Sequence, residues 1–255
     1  MFSGLSEDTK TIIEIFALLI PPIFYIFGLL ENRRGYYLFI IGLLLHFLAI
    51  LWRGLYLERL PLTEKHDNIS FMAFCMALIY LYFYKKKGLK DVGITALPLI
   101  CLFIFISLGY RTLDTVTPFL RSLWFYVYMI FYFLGLAFFG ISSCIGIHYV
   151  LNGKKDYEIM QYRSSIYGWV MLSIGLVAGS IWFFIAYGTY WLWTSKELWN
   201  TITWFYYGVY LHARYIKGLK GRPAAVMGIL GFGVALFTYF GIGPGKVIQS
   251  PPTQF

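Results

Sequence analysis

Eight apolar runs dominate the chain, near residues 12–30, 36–56, 69–84, 93–109, 120–150, 165–187, 198–216 and 224–242, with short polar segments between them. A run of roughly 17–25 residues spans the hydrocarbon core of a bilayer when wound as an α-helix. In that medium the backbone has no water to bond, so a spanning segment satisfies its N–H and C=O groups internally, as a helix or a closed barrel. Barrel strands alternate apolar and polar residues over about 10 positions, and these runs do not alternate. The pattern predicts an all-α polytopic membrane protein of about eight transmembrane helices. Composition excludes a water-soluble fold, because 59% hydrophobic and only 13% charged residues leave too little polar surface to cover one. The fifth run is longer than a bilayer needs and is expected to tilt or protrude. Pro21 and Pro22 are expected to kink the first run, and Pro98 falls in the first turns of the fourth.

Basic residues give the orientation. Segments after the odd-numbered runs hold Arg33, Arg34, Lys85, Lys86, Lys87, Lys90, Lys154, Lys155, Arg163, Arg214, Lys217, Lys220 and Arg222, which is 13 of the 21 basic residues against four acids. The other eight basic residues face eight acids, so the whole net charge of +9 belongs to one side. The positive-inside rule makes that side cytoplasmic and predicts an N-out, C-out chain. The basic clusters are then topology determinants beside anionic lipid heads, and no nucleic-acid partner is needed to explain them. The first run is too long for the apolar core of a signal peptide, so the first helix itself is expected to direct insertion. Residues 1–245 read as a single transmembrane bundle and 246–255 as a flexible tail.

Several chemistries are excluded. Cys75, Cys101 and Cys144 lie inside apolar runs, form no C-x-x-C pair and start no C-x-x-C-H. The chain is therefore not itself a c-type cytochrome. It carries no Ser-His-Asp set, no phosphate-cradling glycine loop and no paired catalytic carboxylates.

Residues 178–215 read AGSIWFFIAYGTYWLWTSKELWNTITWFYYGVYLHARY. Trp182, Trp191, Trp193, Trp199 and Trp204 crowd one short outer loop, whereas an interfacial belt spreads its Trp over all helix ends. A flat aromatic platform for a planar apolar ligand fits that clustering better. Gly179, Trp182, Gly188, Tyr190, Trp191, Trp193, Lys196, Glu197, Trp204, Tyr210, Leu211, His212 and Arg214 stand in step with the tryptophan-rich WWD signature. The segment thus resembles the CcsA/ResC and CcmC haem-handling proteins of cytochrome c assembly. The resemblance continues through Leu219–Ala225 and Gly231–Gly243 and is loose over the first hundred residues. Two departures stand out: Thr194-Ser195 replaces the family's Asp-Pro, and the flanking outer haem-ligating histidines are replaced by Tyr128 and by residues 241–246.

The resemblance implies non-covalent, b-type haem, delivered for cytochrome c maturation. It implies a CcsB/ResB-like membrane subunit or a c-type cytochrome as partner, and a bacterial cytoplasmic membrane as the location. The chain would be a haem-binding or delivery component of a haem lyase rather than a stand-alone enzyme. The alternative left open is a membrane anchor whose intramembrane haem passes electrons from quinol to an extracytoplasmic cytochrome.

Candidate ligands follow from depth. His46 lies about 15 Å from the cytoplasmic end of the second run and His212 about 8 Å from that of the seventh. Ionisable residues so deep are costly and mark function by default. A neutral imidazole there either hydrogen-bonds across helices or ligates iron, and the depths allow both to serve one haem iron. His212 also sits in the family's Y-L-H-x-R segment. His66, in the outer loop between Lys65 and Asp67, reads as a solvated residue or as a replacement outer ligand. Arg53, Arg111 and Arg121 lie at outer helix ends, where a guanidinium either snorkels to the interface or pairs with haem propionates. Trp182, Trp191 and Trp193 make up the expected platform.

Overall fold

The computed structural model describes residues 7–30, 33–84, 90–111, 118–242 and 247–249. Among the described residues the apolar runs wind into eight long helices: α1 Glu7–Phe27, α2 Arg33–Leu57, α3 Lys65–Tyr84, α4 Gly93–Gly109, α5 Leu123–Asn152, α6 Lys155–Tyr187, α7 Ser195–Ala213 and α8 Arg222–Leu236. Among the described residues, seven are long and apolar enough to cross a bilayer by themselves. The eighth is α7, whose first turns carry Ser195, Lys196, Glu197 and Asn200. The protein is thus an all-α integral membrane protein. Contacts group it into two compact units, Met1–Arg121 and Ser122–Phe255.

In the first unit α1 packs on α2 and α4, and α3 on α2 and α4. Helix α1 continues through Pro21 and Pro22. In the second unit α5 and α6 form a close antiparallel hairpin. Ser122 caps α5 by accepting the Phe125 N–H at 3.2 Å. Gly153 ends it at φ +68°, the left-handed conformation that glycine adopts without penalty. Polar residues 155–164 continue α6 well below the apolar run, so the hairpin turn is only Gly153 and Lys154. Small residues let the two backbones touch. A Cβ on Gly135 would lie 3.0 Å from the Gly168 carbonyl, and one on Gly175 would lie 3.0 Å from the Tyr132 nitrogen. Ser142 hydroxyl donates to the Gln161 carbonyl at 3.0 Å and accepts from Ser165 at 2.6 Å, so these buried hydroxyls are satisfied across the interface.

Helices α7 and α8 complete this unit, with α8 against α5 and α7. Pro223 sits in the first turn of α8, where its missing N–H costs nothing. A π-helical turn, Phe237–Gly241, follows α8 and carries Tyr239 into the core. Strand β1, Trp193–Thr194, pairs antiparallel with β2, Val247–Gln249, so three residues of the expected tail run beside the Trp-rich loop. Residues 246 and 250–255 of that tail, and 243–246 of the second outer-ligand position, lie outside the described residues.

Candidate functional site: two aromatic cavities and a buried charge cluster

The tryptophans of residues 178–215 do not form one platform. They divide between the end of the second unit that carries residues 188–194, the outer end in the expected topology, and an exposed flank of that unit.

On the side, Trp169, Trp204, Phe205, Gly208, Val209, His212, Ala213, Ile216 and Leu219 line a groove of about 470 Å³. Trp169 and Trp204 stack at 5.0 Å and 28°. Trp169 indole N–H donates to the Trp204 carbonyl at 3.1 Å, and Trp204 indole N–H donates to Ser173 Oγ at 2.8 Å. Ser173 in turn donates to the Trp169 carbonyl at 2.8 Å, which closes the network. Both rings are therefore locked, and no indole donor is left over. His212 Nδ1 lies 2.7 Å from the Gly208 carbonyl. A carbonyl only accepts, so Nδ1 carries the proton and Nε2 presents its lone pair. His212 is exposed, as are Phe205 and Val209, so the groove is open on its outer side. Two residues further on, Arg214 donates to the Tyr210 hydroxyl at 2.9 Å and pairs with the Glu158 carboxylate at 3.2 Å, tying the end of α7 to the start of α6.

At the outer end, Phe125, Tyr128, Tyr132, Phe133, Trp182 and Tyr239, with Lys196 and Glu197, line a cavity of about 260 Å³. Trp182 lies near-parallel to Tyr128, at 6.3 Å and 16°, and tilted against Phe125 at 5.0 Å. Gly179 makes room for this, since a Cβ there would sit 3.1 Å from the Tyr128 ring. Trp191 and Trp193 meet edge to face at 6.3 Å beside the cavity without lining it. Trp193 is exposed.

The arginines and His66 belong to a third feature, in the first unit. Arg53 is buried and bonds three carboxylates: Glu14 at 2.5 Å, Glu64 at 2.9 Å, and Asp67. Arg59 also reaches Glu64 at 2.5 Å, and Arg111 reaches Glu14 at 3.0 Å. The expected snorkelling of Arg53 and Arg111 is corrected here, because carboxylates from α1, α3 and the preceding loop hold them. His66 is corrected as well: it is the second residue of α3, buried at 1% exposure, and not in a solvated loop. Its Nδ1 donates to the Ser107 carbonyl at 2.8 Å, and its Nε2 lies 3.1 Å from Glu14 Oε1. His46 lies fully buried between Tyr25 and Ser70, each 3.1 Å from one ring nitrogen. With both nitrogens bonded, His46 serves this network and offers no free lone pair to an iron, which corrects the expected ligand pair. Arg121 is exposed at the end of the first unit.

Glu14 was the legible clue to this cluster, since a carboxylate early in the first apolar run demands a buried partner. Trp169, Tyr128 and Tyr239 carried no such signal, because aromatic residues are everywhere in this chain. The three cysteines are free and buried, and among the described residues no group of three His, Cys, Asp or Glu can hold a bare metal ion.

Comparison with known proteins bears on both cavities. The chain is 25% identical over 266 aligned positions to the cytochrome c biogenesis protein CcsA of Cyanophora paradoxa, covering 80% of this chain and 83% of that one. It is 25% identical over 236 positions to the CcsA of Prochlorococcus marinus strain MIT 9312, covering 76% of each. It is 28% identical over 203 positions to the CcsA of Chlamydomonas reinhardtii, where the match spans 71% of this chain and 58% of that protein. Among solved structures, cytochrome c heme lyase CcmF superposes with a TM-score of 0.72 at 14% identity, covering 94% of this chain and 48% of that one, which shows a common fold. The family model described as cytochrome C assembly protein matches residues 62–246, a stretch that holds every residue of the groove and the outer cavity. The chain belongs to the cytochrome c assembly protein family.

Proposed function

We propose that this protein holds haem in the membrane and supplies it for the assembly of c-type cytochromes. The observation that carries the reading is His212, which lines an apolar groove beside two locked tryptophans and whose Nδ1 is held by the Gly208 carbonyl. The donor set fits haem: one neutral imidazole of fixed tautomer for the iron, and flat aromatic and aliphatic walls for the porphyrin. When bound, haem supplies an iron whose ligation and redox state can be controlled, and vinyl groups that a partner's thiols take up. The chain's own contributions are positional. Gly208 carbonyl orients the imidazole, the Trp169–Trp204–Ser173 network keeps the wall in place, and Arg214 anchors the helix end below.

The open side of the groove supports a second membrane subunit, CcsB/ResB-like, that would cover the slot and would supply a further ligand to the haem beside His212. Trp182, Trp191 and Trp193 at the outer end mark the surface that meets the cytochrome. The relatives' names weigh for assembly over the quinol-linked electron-transfer alternative. The deciding experiment is an absorption spectrum with haem stoichiometry on purified protein. His212→Ala is expected to lose haem or its low-spin bands, while His46→Ala keeps both. Acidified acetone is expected to strip the haem completely, as a non-covalent b-type group. A wild-type low-spin spectrum from His212→Ala would place the haem elsewhere.

A further inference from the structure

The outer cavity of the second unit contains a feature that haem in the His212 groove does not use. Glu197 stands in the outer turn ahead of the seventh span, as the third residue of α7. It is 9% exposed, and its Oε2 is buried without a hydrogen-bond partner. Thr194-Ser-Lys-Glu197 is a capping-box sequence, and Thr194 duly accepts the Glu197 N–H at 3.4 Å. The carboxyl instead lines the cavity, among the rings of Phe125, Tyr128, Tyr132, Trp182 and Tyr239. A buried carboxylate oxygen without a partner loses the hydrogen bonds that water would give it, and that loss is costly. Proteins keep such a group where a ligand completes it.

The ligand's chemistry follows from the walls. Ring faces attract cations and a buried carboxylate pairs with them. The cavity already shows this preference, since the Lys196 ammonium lies over the Tyr239 ring at 5.6 Å. Tyr132 donates its hydroxyl to Asn200 at 2.9 Å, so that ring is fixed with its proton turned toward Asn200. At about 260 Å³ the space suits a side-chain-sized group. It opens past Tyr187, which is 57% exposed. A π-helical turn, a distortion that recurs at functional sites, places Tyr239 in the wall.

We infer that this cavity is a receptor for an alkylammonium group, bound by Glu197 within a cage of aromatic rings. The group comes either from a free amine or from a lysine side chain of a polypeptide at the outer face. Burial holds the Glu197 carboxyl above the usual carboxylate range, against the opposing pull of its own backbone N–H and of Lys196. The other titratable groups lining the cavity are Tyr128 and Tyr132 from α5, Tyr187 from α6 and Tyr239 from the π turn, all phenols. Affinity therefore rises with pH as the carboxyl ionises.

The site also predicts an unusual pair of signs. A carboxyl whose folded pKa is raised binds protons more tightly folded than unfolded. It therefore weakens the fold as pH rises through the carboxylate range toward that raised value. Glu197→Gln is expected to raise the melting midpoint of the ligand-free protein at neutral pH by a few degrees. The same variant is expected to lose at least tenfold in affinity for n-butylammonium. The test is calorimetric titration of the purified full chain, wild type and Glu197→Gln, with n-butylammonium, with neutral n-butanol, and with an acetyl-Gly-Lys-Gly amide peptide. Binding of the amine alone assigns a free amine, and tighter binding of the peptide assigns a polypeptide lysine. Equal binding of n-butanol, undiminished binding by Glu197→Gln, or no binding of either cation at pH 8 overturns the proposal. Tyr128→Phe, which keeps the ring, is expected to retain binding and Tyr128→Ala to lose it. The reverse would also sink the cage.

Discussion

Arg53→Met removes the cation that holds three carboxylates together in the first unit while keeping most of the side chain's length. Glu64 would still have Arg59 at 2.5 Å, and Glu14 would still have Arg111 at 3.0 Å and His66 at 3.1 Å. Asp67 would keep only the Glu64 N–H, at 3.3 Å. One buried carboxylate is thus left without a countercharge, a loss that costs about 3–5 kcal/mol. That is a large share of a typical total stability of about 5–15 kcal/mol. For a chain of this size each kcal/mol moves the melting midpoint by about 2–4 °C, so Arg53→Met should melt about 6–20 °C lower. Circular dichroism melts of the detergent-purified protein measure this directly. Asp67→Asn in the same chain removes the stranded charge and should recover part of the loss. A single variant melting within about 2 °C of wild type, or a double variant no better than the single, would refute the argument that this cluster is held by Arg53.

Two further outcomes are expected. Gly168→Leu should lower both yield and melting midpoint, by about 1–3 kcal/mol or more of overpacking, because even a Cβ there lies 2.6 Å from the Phe139 ring and 3.0 Å from the Gly135 carbonyl. An unchanged melt would mean that α5 and α6 are not in backbone contact. Topology reporters fused at Lys87 and Lys220 should score cytoplasmic and one at Thr194 extracytoplasmic, following the basic residues; opposite scores at two of the three would invert the map.

The helices were legible because lipid imposes one rule on every residue of a spanning run. Their ends were less so. Lys155 to Ser164 reads as a polar loop by hydropathy, yet it is the first three turns of α6, helical because Tyr157 and Gln161 pack inward there. The stretch Thr63–Asn68 also reads as a solvated loop. Glu64, His66 and Asp67 are buried instead, against Arg53 from α2 and Glu14 from α1, while Lys65 stays exposed, and such pairing between distant positions leaves no local pattern. At the site, His212 was legible through its motif, whereas the freedom of its Nε2 depended on the Gly208 carbonyl one turn back. Both nitrogens of His46 are taken by Tyr25 and Ser70, which no spacing rule could foretell.

The two-residue turn between α5 and α6 also sets a timetable for biosynthesis. Contacts across so short a connection close with little loop entropy, so this hairpin can form as soon as α6 has been made. The His212 groove draws its walls only from α6, α7 and the turn after α7, and is complete once α7 joins the hairpin. The outer cavity is different, because Tyr239 in its wall follows α8, which is made after α7. The groove therefore matures one helix ahead of the cavity.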